Sequence, residues 1–338
     1  MTIDFSSFKS EWLNREANFT AFTSGPLLTF WQQRQEGCFP SHRVNDSAEL
    51  PINYVKFTAP EHQRAIVVVT GRTEGYIKYQ ELAYDLFRCG YDVWILDHRG
   101  QGFSGRLLAD RQRGHVDKFD DYVDDFESFW LSIFSQQHYQ QTFLLAHSMG
   151  GLIATLFLAR HPDAVQAAAL CSPMLGIRLP MPTWLARKIT DLTEHWQNAR
   201  EYYVVGSGRW LPMPYAMNVL THSKERYRFF SHHYSDNPQV RVGGPTYRWL
   251  RESMFAGERA IAQAGQITTP ILLLQASQER LVDNDAHAVF CQALADAGNP
   301  CAGGVPKIIS GARHELLFEC DALRTQALMA ILEFFTQY

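Results

Sequence analysis

No segment of the 338-residue chain approaches the roughly 18–20 uninterrupted apolar residues that a membrane-spanning helix requires. The N-terminal stretch MTIDFSSFKSEW lacks both a basic leader and an apolar run, so no secretory signal is legible and residence in the cytoplasm is expected. The six cysteines (Cys38, Cys89, Cys171, Cys291, Cys301 and Cys320) show no CxxC or CxxH spacing. That excludes a recognisable zinc motif, and their mostly apolar surroundings favour buried reduced thiols over disulfides. Internal repeats and low-complexity tracts are also missing. A net charge of −4 argues against a general nucleic-acid binder.

What the chain does have is an ordinary globular composition, 46% hydrophobic and 20% charged, with 15 Pro and 22 Gly spread along it. Short β-branched or apolar runs recur, each closed by turn residues: 65–70, 91–96, 142–146, 165–172, 270–276 and 306–310. Amphipathic or apolar helical patterns lie between them, over 79–90, 119–134, 152–160, 285–298 and 323–335. Near-continuous apolar strands alternating with helices predict an α/β fold, a mostly parallel central sheet with helices on both faces. Ligands of such sheets bind beyond the carboxyl ends of the strands.

The alternation breaks once. Nearly a hundred residues separate the strands at 165–172 and 270–276, divided by Pro173, Pro180, Pro182, Pro212, Pro214 and Pro245. An inserted, mainly helical cap over 173–250 explains this gap. It leaves a core of 1–172 and 251–338, with residues 1–50 as an N-terminal extension. From Pro173 to Arg251 eleven Lys and Arg face five Asp and Glu, among Trp184, Trp196, Trp210 and Trp249. Basic and aromatic residues together suit contact with an anionic membrane; a solvated face over core aromatics accounts for the composition equally well.

Residues 144–151 read LLAHSMGG. A strand running into a serine and then a helix is the context of a nucleophile elbow, in which Gly-x-Ser-x-Gly permits a strained turn. Here Ala146 stands at the first glycine position, His147 precedes Ser148, and Gly150 and Gly151 follow Met149. A serine needs a base, an acid to orient that base, and donors for the oxyanion. His314, in the loop after the last strand, is the base candidate. Glu279, close behind the strand 270–276, is the preferred acid. Asp283 is the alternative acid, although its position also suits the cap of the next helix. The order Ser…Glu…His is that of an α/β-hydrolase. The backbone N–H groups of Met149 and Arg72 are the expected oxyanion donors. The Arg72 side chain has two readings that remain open, a salt bridge with Glu74 or contact with a substrate phosphate. His98 and His115, in sheet-edge loops, are further candidate substrate contacts. This chemistry requires no metal or organic cofactor.

The stretches TGRTEGYIKYQELAYDLFRCGYDVWILDHRGQGFSGR, LLAHSMGG, ASQERLVDN and GARHELLFE resemble the monoacylglycerol-lipase-like branch of the α/β-hydrolases. GSGRW, NVLTHSKERY and RVGGPTYRWLRES extend the likeness through the cap, toward the bacterial lysophospholipases of the L-two type. The resemblance implies cleavage of the single ester of a lysophospholipid through an acyl-serine, with Ser148, Glu279 and His314 as triad. It further implies acyl transfer to another lipid alcohol and peripheral attachment to the cytoplasmic face of the inner membrane. Two departures stand out from the wider branch: Thr70-Gly71 replaces the usual His-Gly, and Glu279 the usual Asp. The rival readings are a monoacylglycerol lipase or general carboxylesterase, and a non-catalytic binding protein on the same fold.

Overall fold

Valine, isoleucine and leucine fill strands β3 (Arg64–Val69) and β4 (Tyr91–Leu96), and both are buried on each face, as a strand covered by helices on both sides must be. β5 (Gln141–His147), the alanine-rich β6 (Ala167–Cys171) and β7 (Ile271–Ala276) are also largely buried, while β8 (Lys307–Ile309) is a short edge. In the computed structural model, which describes residues 5–41, 49–196 and 199–338, two further strands precede these: β1 (Gln35–Pro40) and β2 (Pro51–Phe57). Residues 1–4 and 42–48 of the expected N-terminal extension, and 197–198 of the expected cap, lie outside the described residues.

The eight strands are ordered β1-β2-β4-β3-β5-β6-β7-β8. The first two pairings are antiparallel and all the others parallel. Together with the serine turn at the end of β5, this is the α/β-hydrolase architecture that the strand–helix alternation predicts. Helices Gln80–Arg88 and Asp321–Phe335 cover one face, and Asp120–Phe129 and Met149–Arg160 the other, giving one apolar cluster on each side of the sheet.

Between β6 and β7 run helices Thr183–Glu194, Lys224–Asp236 and Tyr247–Ala262, with single turns at Ala199–Glu201, Tyr215–Met217 and Pro238–Val240 among the described residues between them. Helix Tyr247–Ala262 crosses residue 250. Its Trp249, Leu250 and Met254 belong to the same apolar cluster as the strands, so it packs onto the core.

A buried ionic cluster ties three distant segments together. Arg226, on helix Lys224–Asp236, bonds Glu81 and Asp321, each at 2.8 Å. Arg15, from the N-terminal segment, and Arg324 both reach Asp85 at 2.7 Å. These charges are desolvated, and each carries opposite partners, as buried ions must.

Candidate active site

The apolar strand β5 ends at His147, and the chain turns at once into helix Met149–Arg160. Ser148 occupies this turn with φ 52° and ψ −118°, a strained backbone for a residue with a side chain. The tightness of the turn explains its small neighbours. A Cβ on Gly150 would stand 2.1 Å from the Val69 carbonyl oxygen, and one on Gly151 2.6 Å from Pro173. Ala146 sits in regular parallel register between Val69 and Leu170, where a methyl group packs in the core. The position needs smallness and has no positive φ, so alanine serves.

Three loops at the carboxyl edge of the sheet then converge. His314 Nε2 lies 3.0 Å from Ser148 Oγ, and its Nδ1 lies 2.8 Å from Glu279 Oε2. The other oxygen of Glu279 accepts N–H groups of Arg280 and Leu281, both at 2.8 Å, and of Val282 at 3.3 Å. Burial alone would raise the pKa of this carboxyl, but His314 and the backbone donors hold it down at about 2. Glu279 is therefore ionised, and Nδ1 of His314 carries the proton it donates to it. Asp283 makes no contact with His314. It caps helix Asn284–Asp296, accepting the N–H of Asp285 at 3.1 Å.

The N–H of Met149, in the first turn of its helix, and that of Arg72, after β3, have no partner among the described residues. The loop carrying Arg72 is fixed by hydrogen bonds from two side chains. Glu74 accepts the Gly71 N–H at 2.5 Å, while Gln101 donates to the Gly71 carbonyl and accepts the Thr73 N–H, both at 2.9 Å.

Sequence reasoning missed a second buried group beside the first. Lys78 donates to Glu74 at 2.5 Å and to both oxygens of Glu315 at 2.7 and 2.6 Å. Glu74 also takes bonds from Tyr79 and lies 3.3 Å from His147 Nδ1, whose Nε2 is 3.3 Å from the His314 carbonyl. Glu74, His147 and Glu315 stand close enough together for a metal site. The Lys78 ammonium already bonds both carboxylates of that cluster. Burial opposes ionisation of Glu74, yet Lys78 and His147 pull its pKa well below the usual range. The available signal was the Glu74–Lys78 spacing of four and the position of Glu315 next to His314.

A cavity of about 490 Å³ opens above Ser148 and His314. Met174, Ile177, Leu211, Met213, Leu220 and Phe230 give it apolar walls, and Arg72 and Trp249 stand on one side. His98 and His115 are absent from its lining, which corrects the expectation for both. His98 is fully buried beneath the loop, donating Nε2–H to the Thr70 carbonyl at 3.1 Å, and burial lowers its pKa to about 4. His115 is buried against Thr246, with Nδ1 2.9 Å from its hydroxyl. The salt bridge between Arg72 and Glu74 does not form, because Glu74 is committed to Lys78 and His147.

Comparison with known proteins agrees with this architecture. Residues 60–321 match the family described as serine aminopeptidase, S33. The chain is 51% identical to lysophospholipase L2 of Escherichia coli K12 over 330 residues, covering 98% of this chain and 96% of that one. It is 35% identical to the probable lysophospholipase L2 of Haemophilus influenzae, covering 95% and 98%. Among solved structures, the monoacylglycerol lipase of Paleococcus ferrophilus shares the fold, with a TM-score of 0.65 at 20% identity over 85% of this chain and 98% of its own. The chain belongs to the serine aminopeptidase S33 family of α/β-hydrolases, in its lysophospholipase L2 branch.

Proposed function

We propose that the protein is a serine hydrolase that cleaves the acyl ester of lysophospholipids through an acyl-serine intermediate. The observation that carries this reading is the unbroken relay from Ser148 Oγ through His314 to Glu279 at the floor of a largely apolar cavity. The names of the L2 relatives, matched over almost the whole chain, support the choice of substrate.

In the proposed cycle His314 Nε2 takes the Ser148 proton as Oγ attacks the acyl carbonyl. The resulting oxyanion accepts the N–H groups of Met149 and Arg72, which stabilise charge only as it develops. Ionised Glu279 steadies the imidazolium, which then protonates the departing glycerophospho-alcohol oxygen as the acyl–oxygen bond breaks. Water, or a second lipid alcohol, gives its proton to His314 and takes the acyl group, restoring Ser148.

Residues 173–250 act as the cap in this reading and hold the acyl chain. Leu211 and Met213 line the cavity and are also exposed, while Trp184, Trp196, Val205 and Met217 are exposed on the same segment. Exposed apolar side chains among the cations of this segment favour peripheral contact with an anionic membrane, on the cytoplasmic face of the inner membrane. No described helix is long and apolar enough to cross a bilayer.

A fluorophosphonate probe should label the wild-type protein and fail to label Ser148→Ala. Turnover of lysophosphatidylethanolamine should exceed that of monoolein, and the protein should sediment with anionic but not neutral vesicles. A preference for monoolein would make the enzyme a monoacylglycerol lipase. An absence of labelling would leave a binding protein.

A further inference from the structure

Arg72 brings two separate groups to the cavity. Its backbone N–H was assigned above to the oxyanion; its side chain has another task. The guanidinium lies against the Trp249 ring at 4.9 Å and gives Nη2 to the Gly243 carbonyl at 2.7 Å. A Cβ on Gly114 would meet Nη2 at 2.5 Å, so the glycine leaves room for the guanidinium in this position. Nε is closed off and unbonded, and the one bond of the guanidinium among the described residues is that of Nη2.

Arg106 and Arg178 also bond only carbonyl oxygens, Arg106 outside the cavity lining and Arg178 within it, but the four most buried arginines differ. Buried Arg15, Arg99, Arg226 and Arg324 each hold a carboxylate. Arg72 has none among the described residues, and the nearest acid in sequence, Glu74, is taken by Lys78. Desolvation without a compensating anion lowers the Arg72 pKa to about 10. A cation left in this state is costly to a fold unless a ligand supplies the missing charge. Groups perturbed in this way and lining a cavity mark binding sites. A guanidinium, planar and with paired donors, matches a phosphate in particular.

We propose that the Arg72 guanidinium is the phosphate-binding group of this cavity, taking the phosphodiester of the substrate while the N–H of the same residue holds the oxyanion. Hydrolysed ester and phosphate are separated by a glycerol backbone, a span comparable to one extended arginine side chain. One residue then reads both ends of that backbone and sets the preference for phosphate-bearing over neutral esters. This rests on the reading of Ser148 as nucleophile.

The test uses the full chain and the variants Arg72→Met and Arg72→Lys, with folding checked by circular dichroism. Arg72→Met should lower the ratio of kcat/KM for lysophosphatidylethanolamine over monoolein by about 10- to 100-fold, the effect of a lost charge-assisted bond, and Arg72→Lys should recover part of it. An unchanged ratio, with both substrates slowed equally, would overturn the proposal. A second arm needs no turnover. Calorimetry on Ser148→Ala should detect glycerophosphoethanolamine, and the signal should vanish in Ser148→Ala/Arg72→Met. Inorganic phosphate in the same cell distinguishes a site for the free ion from one that also needs the glycerol. If neither ligand binds Ser148→Ala, the phosphate site is refuted. If the ligand binds but lysophospholipid is not cleaved, the site stands and the proposed activity fails.

Discussion

The Lys78 ammonium lies 2.6 Å from a carboxylate oxygen of Glu315, the residue immediately after His314. This contact links the loop that carries Arg72, through Glu74, to the loop that carries His314. The two loops share one buried cation. Their relative position is therefore set by an electrostatic clamp as well as by the sheet.

Lys78→Met should destabilise the fold strongly, because it removes the buried cation that bonds both Glu74 and Glu315. Removing one partner of a buried pair costs about 3–5 kcal/mol, measurable by urea denaturation. Lys78→Met/Glu315→Gln should recover part of that loss. If the single variant is as stable as wild type, the clamp contributes nothing.

Glu279→Gln and Asp283→Asn separate two acids four residues apart. Glutamine cannot hold the imidazolium, so kcat should fall by roughly three to four orders of magnitude, with little change in KM. Asparagine caps a helix as well as aspartate, so Asp283→Asn should keep full activity and nearly full stability. Steady-state kinetics on a chromogenic ester reads both, and the reverse ranking would reassign the acid.

The glycines of the elbow differ in their tolerance. Gly150→Ala pushes a methyl group into the Val69 and Thr70 carbonyls, which are backbone and cannot move aside. It should cost about 3 kcal/mol or yield insoluble protein. Ala146→Gly restores the common motif and removes a packed methyl from a strand, and should cost about 1–2 kcal/mol. Thermal melts of both variants against wild type give the comparison.

Strands β3 to β8 were legible because burial on both faces leaves near-continuous apolar runs, and Ser148, Glu279 and His314 because each follows a strand end. Strands β1 and β2 were not. Gln35–Pro40 is half exposed, and its polar and apolar residues carry no regular alternation; Pro51–Phe57 mixes Asn53 and Lys56 into its run. Within the clamp the Glu74–Lys78 spacing of four is local, but Glu315 lies more than two hundred positions away, and no local pattern records that meeting. His98 and His115 looked like site residues because their loops edge the sheet. Whether a side chain points into a cavity or beneath a loop depends on packing that linear spacing does not encode.

The depressed pKa of Glu279 also makes a prediction about acid stability. Its folded value is about 2, below its ordinary value of 4.5. A carboxyl lowered on folding contributes stability that is complete above its unfolded value and is lost as pH falls through the folded one. The contribution is on the order of 3 kcal/mol above pH ~4.5, decaying toward pH ~2. Glu279→Gln, which has no proton to gain, should lose less stability than wild type over that interval, so the two curves of unfolding free energy against pH converge in acid. Urea titrations at successive pH values measure this. Parallel curves would mean that the bond from His314 to Glu279 does not hold the carboxylate ionised.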